Sequence, residues 1–274
     1  MLAVVLALLS AALFGAMTVA LRLALTHVDA GAAAVGTVLV ALAVTAIGVA
    51  VRTDVHGAWP FLLAGLLAPG ASQILFTLAV REVGASRTSV TVGVAPLAAV
   101  AIALVFLHEP LRASLLAGAV AIVAGGVLLA SERTRPEHLR ALGLAFAGAA
   151  TILFATRDNL VRALHAHSSP EAAAAATLLA GAVVTACWAR RAPRPRELAR
   201  LAPAGVCFGL SYVCLFEAYF RGRVTVVSPL VGTESLWGVG LSALAFRRTE
   251  GVGRRLALGA VLVVAGGALI GATR

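Results

Sequence analysis

The chain has 274 residues, of which 61% are hydrophobic and 12% charged, against about 45–50% and about 25% in an ordinary soluble domain. With a mean hydropathy of +0.98 and apolar runs of about 20 residues recurring from end to end, a soluble globular fold is excluded and lipid is the solvent for most of the chain. Solidly apolar runs also exclude a β-barrel, whose strands alternate in polarity over about 10 residues. The formal charge of +10 is carried by arginine with no lysine. Most of these arginines lie between apolar runs, where they read as headgroup anchors rather than as a nucleic-acid surface.

Ten membrane spans are expected, at 1–21, 31–51, 59–80, 86–107, 113–131, 141–161, 171–189, 201–220, 224–246 and 256–273. At roughly 20 residues per crossing they leave no room for a soluble domain, and an even number puts both termini on one side. Met1–Ala20 lacks the positively charged start of a signal peptide and reads as the first span. In the third span, Pro69-Gly70 falls at the centre, where it frees backbone groups and kinks or interrupts the helix, a pointer to a binding site near the bilayer midplane. Pro110 fits the first turn of the fifth span, and Ser168 with Glu171 fits a capping box for the seventh. Trp59 and Trp188 read as interfacial belt residues.

The chain repeats itself. Gly118-Ala-Val-Ala-Ile-Val-Ala-Gly-Gly126 recurs 141 residues later as Gly259-Ala-Val-Leu-Val-Val-Ala-Gly-Gly267, with seven of nine positions identical. Leu13-Phe14, Arg22 and His27 recur at an offset of 140 as Leu153-Phe154, Arg162 and His167. The expected fold is therefore all-α, a polytopic membrane protein of ten helices in two five-helix repeats, 1–135 and 136–274. An odd number of spans per repeat turns the second copy upside down, the inverted-repeat design of secondary transporters. Gly118 with Gly125, and Gly259 with Gly266, lie seven apart on single helix faces and suit close packing of spans five and ten.

Against that frame several motifs stand in order: Ala12-Leu-Phe-Gly15 through Leu21-Arg22-Leu23, Gly84-Ala-Ser86, Ala95-Pro96, Leu107-His-Glu109-Pro-Leu111, Val226-Val-Ser-Pro-Leu230 and Leu236-Trp-Gly-Val-Gly-Leu-Ser-Ala-Leu244. Together they resemble the EamA-type transporters of the drug/metabolite transporter superfamily over nearly the whole chain. Two departures stand out. Thr233-Glu234-Ser235 occupies the place where that family usually has a proline in the ninth span, and Arg247-Arg248 the place where a glutamate usually ends it. The resemblance implies a central cavity lined by spans 1, 3, 4, 6, 8 and 9, and cytoplasmic termini; it does not carry a substrate over.

Ionisable groups inside the membrane need a reason, since each costs about 2.5–3.5 kcal/mol at a helix centre. Arg157 and Asp158 lie near the centre of the sixth span. Asp158 stands four residues before Arg162, the favourable order for an intrahelical pair, which would leave Arg157 alone. Glu234 is near the middle of the ninth span; an apolar cavity favours the neutral carboxyl, which makes it a candidate proton carrier, or else the partner of Arg157. Glu217 near the end of the eighth span reads as a cavity acid or as a side chain snorkelling to the interface, with Tyr212 and Ser211 deeper on the same helix. Thr18, Ser72, Gln73 and Thr91 are the neutral candidates of the first half, each equally readable as a helix-packing hydrogen bond, and aligning Gly84 with Gly222 sets Gln73 opposite Ser211. Trp237, in the ninth-span motif, is a further candidate for substrate contact.

The candidate substrate-binding or coupling set is thus Glu234, Arg157, Asp158, Tyr212, Gln73, Ser211, Glu217, Thr18 and Trp237, with Pro69 and Gly70 as the helix break. An excess of negative charge in the second half's cavity walls suits a proton or a solute with a positive group. A small amino acid or organic amine fits, with Arg157 able to take a carboxylate, and outward, proton-coupled transport is the expected function. No metal and no cofactor are expected. Cys187, Cys207 and Cys214 read as small hydrophobes, and His165 and His167, two apart, point in nearly opposite directions. Glu109 reads as a cap or anchor. The partners expected are the substrate and the lipid bilayer, not nucleic acid, with a monomer or homodimer as the assembly. The alternatives are an intramembrane enzyme, against which the lack of HExxH, GxSxG or paired catalytic residues counts, and a receptor or scaffold. The lack of lysine suits a GC-rich bacterial genome, hence a bacterial cytoplasmic membrane. Loops after odd-numbered spans hold 15 arginines against 7 elsewhere, which by the positive-inside rule puts both termini outside, opposite to the orientation the resemblance implies.

Overall fold

The computed structural model describes residues 1–52, 55–108, 113–130, 141–246 and 254–271. Glu109, Pro110, Arg247 and Arg248 lie outside the described residues. The described residues are helical throughout: α1 Leu2–Ala24, α2 Ala30–Arg52, α3 Pro60–Gly65, a π-helical turn Leu66–Ala71, α4 Ser72–Val92, α5 Ala95–Phe106, α6 Ala113–Ala130, α7 Ala141–Ala163, a 3-10 turn His165–His167, α8 Pro170–Ala189, α9 Pro195–Arg221, α10 Val224–Val231, α11 Glu234–Ala245 and α12 Arg254–Gly271. Seven helical stretches among them are long and apolar enough to cross a bilayer. The chain is an integral, multi-pass membrane protein.

One of those stretches, Pro60–Val92, has 33 residues, about 50 Å of helix at 1.5 Å per residue, far more than the roughly 30 Å of a hydrocarbon core. It is not one rod. At Gly84 the backbone takes φ 84° and ψ 170°, a conformation that a residue without Cβ adopts freely, so the chain turns where the sequence sets the boundary between the third and fourth spans. A second break lies at Ala68 (φ −144°, ψ 119°), beside Pro69, which has no N–H to continue the ladder. This break packs against α8, where a Cβ on Gly70 would lie 3.1 Å from the Val184 Cβ.

The duplicated glycines pack on each other. A Cβ on Gly125 would meet the Gly259 carbonyl oxygen at 2.7 Å and the Val263 nitrogen at 3.1 Å; on Gly266 it would meet the Gly118 carbonyl oxygen at 2.5 Å and the Ile122 nitrogen at 2.9 Å. Only glycine permits helix backbones this close. As α6 advances from 118 to 125, its partner on α12 falls from 266 to 259, so the two copies of the motif run antiparallel.

The same swap recurs between two further helix breaks. Gly93, between α4 and α5, lies under Ser235, 2.7 Å from a would-be Cβ to the Ser235 Cβ; Gly232, between α10 and α11, lies equally close to the Pro96 Cγ. Arg22 and Arg162 also match. The Arg22 Nη1 donates to the Val80 and Arg81 carbonyls at 3.3 and 3.0 Å, and the Arg162 Nη1 to those of Tyr219 and Phe220 at 3.1 and 3.4 Å. The last carbonyls of a helix lack intrahelical donors and carry partial negative charge, which is what a guanidinium satisfies.

Two local expectations are corrected. The cap of α8 is Ser169, whose Oγ accepts from the Ala172 N–H at 3.3 Å, with Pro170 in the first position; Ser168 lies one residue outside, in extended backbone. Helix α9 starts at Pro195, six residues before the apolar run at Leu201. Glu197 accepts from the Arg194 N–H at 2.7 Å, and a polar first turn of this kind carries no apolar signal in the sequence.

Candidate functional site

A small cavity of about 30 Å³ lies among α1, the end of α4, α5, α7, α9, α10 and α11. That is room for about two waters. Its polar walls are Ser10, Arg157, Asp158, Ser211, Tyr212, Ser228 and Glu234; its apolar walls include Phe14, Phe154 and Pro96. The two backbone breaks flank it: Val92, Ala95 and Pro96 line it from one half, Val231, Gly232 and Glu234 from the other.

Arg157 and Asp158 are each 4% exposed. Two buried charges persist together only when each is matched. The Arg157 Nε donates to Asp158 Oδ1 at 2.7 Å, and the Tyr219 hydroxyl donates to Asp158 Oδ2 at 2.7 Å. The guanidinium lies over the Tyr212 ring, 4.9 Å from its centroid, and 5.6 Å from that of Phe154, a cation–π arrangement that replaces part of its hydration. Its Nη1 makes no hydrogen bond among the described residues. The Asp158–Arg162 pair expected from helical spacing is therefore absent: Arg162, one turn on, satisfies the end of α9, and the adjacent Arg157 takes the carboxylate.

Glu234 is the first residue of α11 and 6% exposed. Among the described residues it makes no ion pair, and the expected Glu234–Arg157 bridge is not formed. Glu234 follows directly on Gly232 and Thr233, which keep helical dihedrals, so the carbonyl end of α10 abuts the start of α11. With Arg157 and Asp158 paired to each other, Glu234 is the cavity's one carboxyl without a partner of opposite charge among the described residues.

Serines join the halves beside it. Ser10 Oγ donates to the Ser211 carbonyl and Ser211 Oγ to the Ser10 carbonyl, both at 3.0 Å, and the two hydroxyl oxygens are also 3.0 Å apart.

Of the residues singled out from sequence, the fold gathers Arg157, Asp158, Ser211, Tyr212 and Glu234 at this cavity. The others lie elsewhere. Glu217 accepts from Arg221 Nε at 2.7 Å, an i,i+4 pair near the end of α9. The Thr18 hydroxyl donates to the Phe14 carbonyl at 2.9 Å. Gln73 is fully buried, and its side-chain nitrogen and oxygen have no hydrogen-bond partner among the described residues. Trp237 is 48% exposed on the outside of α11, and Pro69-Gly70 packs on α8 rather than on the cavity.

Sequence reasoning missed Ser10, Ser228 and Tyr219. Tyr219 was within reach, because it stands seven residues after Tyr212 and so on the same face of α9. Ser10 had no signal, since a lone serine in an apolar run reads as packing.

No curated protein matches the sequence. One protein of known crystal structure is 19% identical, with a TM-score of 0.74 over 99% of this chain and 96% of that one; at that identity the likeness is one of fold. The model of the EamA-like transporter family matches twice, over residues 1–131 and 141–272. These two matches take in nearly the whole sequence, and the chain belongs to the EamA-like transporter family.

Proposed function

We propose that the protein is a secondary transporter that carries a small metabolite, an amino acid or an organic amine, by alternating access of two inverted five-helix repeats, 1–135 and 136–274. In this reading the turn at Gly84 and the breaks at Gly93 and Gly232 belong to ten spans, with the fourth and ninth discontinuous at the cavity. The antiparallel crossing of α6 and α12 supports the inversion.

The observation that carries the proposal is Glu234, a buried carboxyl without counter-charge at a helix break, beside an Arg157–Asp158 pair whose charges cancel. A proton or a substrate ammonium group can neutralise it, and their exchange couples transport to the proton gradient. The free Nη1 of Arg157 suits a substrate carboxylate, bound as a charge-assisted hydrogen bond. A cavity of about 30 Å³ is too small for an amino acid, so the helices around it part to load and release. Outward transport across a bacterial cytoplasmic membrane completes the reading.

Flux of labelled amino acids and amines in proteoliposomes, with and without an imposed pH gradient, tests this. Saturable, gradient-driven flux is expected for the wild type, with the gradient dependence lost in Glu234→Gln. Absence of saturable flux for both solute classes, or an unchanged gradient dependence in Glu234→Gln, overturns it.

A further inference from the structure

Away from the cavity, the start of α9 and the end of α1 enclose a wide, open groove of about 620 Å³ lined by His27, Arg194, Arg196, Glu197 and Arg200. Five arginines fall within the eleven residues from 190 to 200. The groove's one carboxylate is already engaged: Glu197 accepts from Arg191 Nη1 and Nη2 at 3.0 and 2.9 Å and from the Arg194 backbone. Asp29, the nearby acid from the loop after α1, is also bonded to Arg191. The guanidiniums of Arg194, Arg196 and Arg200 make no ion pair among the described residues, and with Arg191 they set four positive charges against the carboxylates of Glu197 and Asp29, a net charge of +2.

Its depth is set by helix length. At 27 residues, α9 is about 40 Å long against roughly 30 Å of hydrocarbon, and its fully buried residues begin at Leu201. Pro195–Arg200 therefore stands in the headgroup layer. Trp188, 42% exposed at the end of α8, marks the same level, where an indole ring settles between hydrocarbon and water.

We infer that this groove is a binding site for the phosphate headgroup of an anionic phospholipid. Guanidinium groups bind phosphate through two parallel hydrogen bonds, three of them at headgroup depth face the one anion that is abundant there, and a lipid so held keeps its acyl chains along the apolar part of α9. A soluble phosphate offers the same chemistry without that anchorage, and an acidic protein would have to approach at the level of the headgroups.

The test is the melting temperature of the purified full-length protein in detergent with added phosphatidylglycerol, phosphatidylcholine or inorganic phosphate, together with lipid occupancy by native mass spectrometry. Phosphatidylglycerol is expected to raise the melting temperature and to bind about 100-fold more weakly to R194Q/R196Q/R200Q. Phosphatidylcholine and inorganic phosphate should do neither. R194K/R196K/R200K, which keeps the charge and the fold, should bind with intermediate strength because it loses the paired hydrogen bonds. An equal shift from inorganic phosphate would make this a site for soluble anions. Equal binding of phosphatidylcholine, or undiminished phosphatidylglycerol binding to the glutamine variant and to the lysine variant, would overturn the assignment.

Discussion

Gly93 and Gly232, 139 residues apart, occupy matched breaks in the two halves, and each lies against the residue three beyond the other: Gly93 against Ser235, Gly232 against Pro96. An exchange of partners of this kind is what a twofold relation between antiparallel copies produces. The cavity sits beside that crossing, which gives Gly232 a steric role. A Cβ there would lie 2.7 Å from the Pro96 Cγ, so Gly232→Ala forces the two breaks apart. Overpacking of this order costs about 1–3 kcal/mol, and both the melting temperature and the transport rate should fall. A variant with unchanged stability and rate would show that the close approach is dispensable.

Arg157→Ala leaves the Asp158 carboxylate buried with only Tyr219 to answer it. Removing one member of a buried pair costs about 3–5 kcal/mol, whereas replacing both with apolar residues of similar volume is often neutral. Arg157→Ala should therefore unfold at a markedly lower temperature than Arg157→Met/Asp158→Leu. If the double variant is no more stable than the single, the charges do not act as a pair.

Tyr219→Phe removes a contact with the Ser228 hydroxyl and, chiefly, one hydrogen bond to a charged oxygen of Asp158. A bond of this type contributes about 1.5–3 kcal/mol. The expected result is a stability loss in that range with the fold retained, measured by thermal unfolding. A neutral substitution would place the hydroxyl's bond outside the energetics of the site.

In the proposed cycle α1 and α9 separate where Ser10 and Ser211 meet. With their hydroxyl oxygens 3.0 Å apart, Ser10→Cys/Ser211→Cys brings two thiols within reach of a disulfide. Oxidation should stop transport and reduction restore it, as followed by solute flux before and after reductant. Full activity of the oxidised protein would mean that this contact stays closed during the cycle.

The fold was legible mainly through its duplication. The Gly118–Gly126 motif reads as a copy because close backbone crossing demands glycine at fixed spacing, and the α6–α12 contact meets that demand. Glu234, Arg157 and Asp158 were legible because charge in an apolar run is costly wherever it falls. Pairing was not. The i,i+4 rule assigned Asp158 to Arg162, yet Arg162 answers carbonyls at the end of α9, groups that no local pattern reveals. The breaks at Gly93 and Gly232 escaped notice for a related reason: a glycine in an apolar run looks like any packing glycine until the partner helix is in place. Pro69-Gly70 announced itself locally, and its break serves the contact with α8.

The central claim is that Glu234 meets a substrate's positive group in the cavity. Its most direct test is a thermal-shift screen of purified wild type and Glu234→Gln against amino acids, amines, and solutes without an ammonium group, because a ligand bound only to the folded state adds about 2.7 kcal/mol of stability at 100 times its Kd. An ammonium-bearing solute should stabilise the wild type and leave Glu234→Gln unmoved. An equal shift in both proteins, or shifts confined to solutes without a positive charge, would contradict the account.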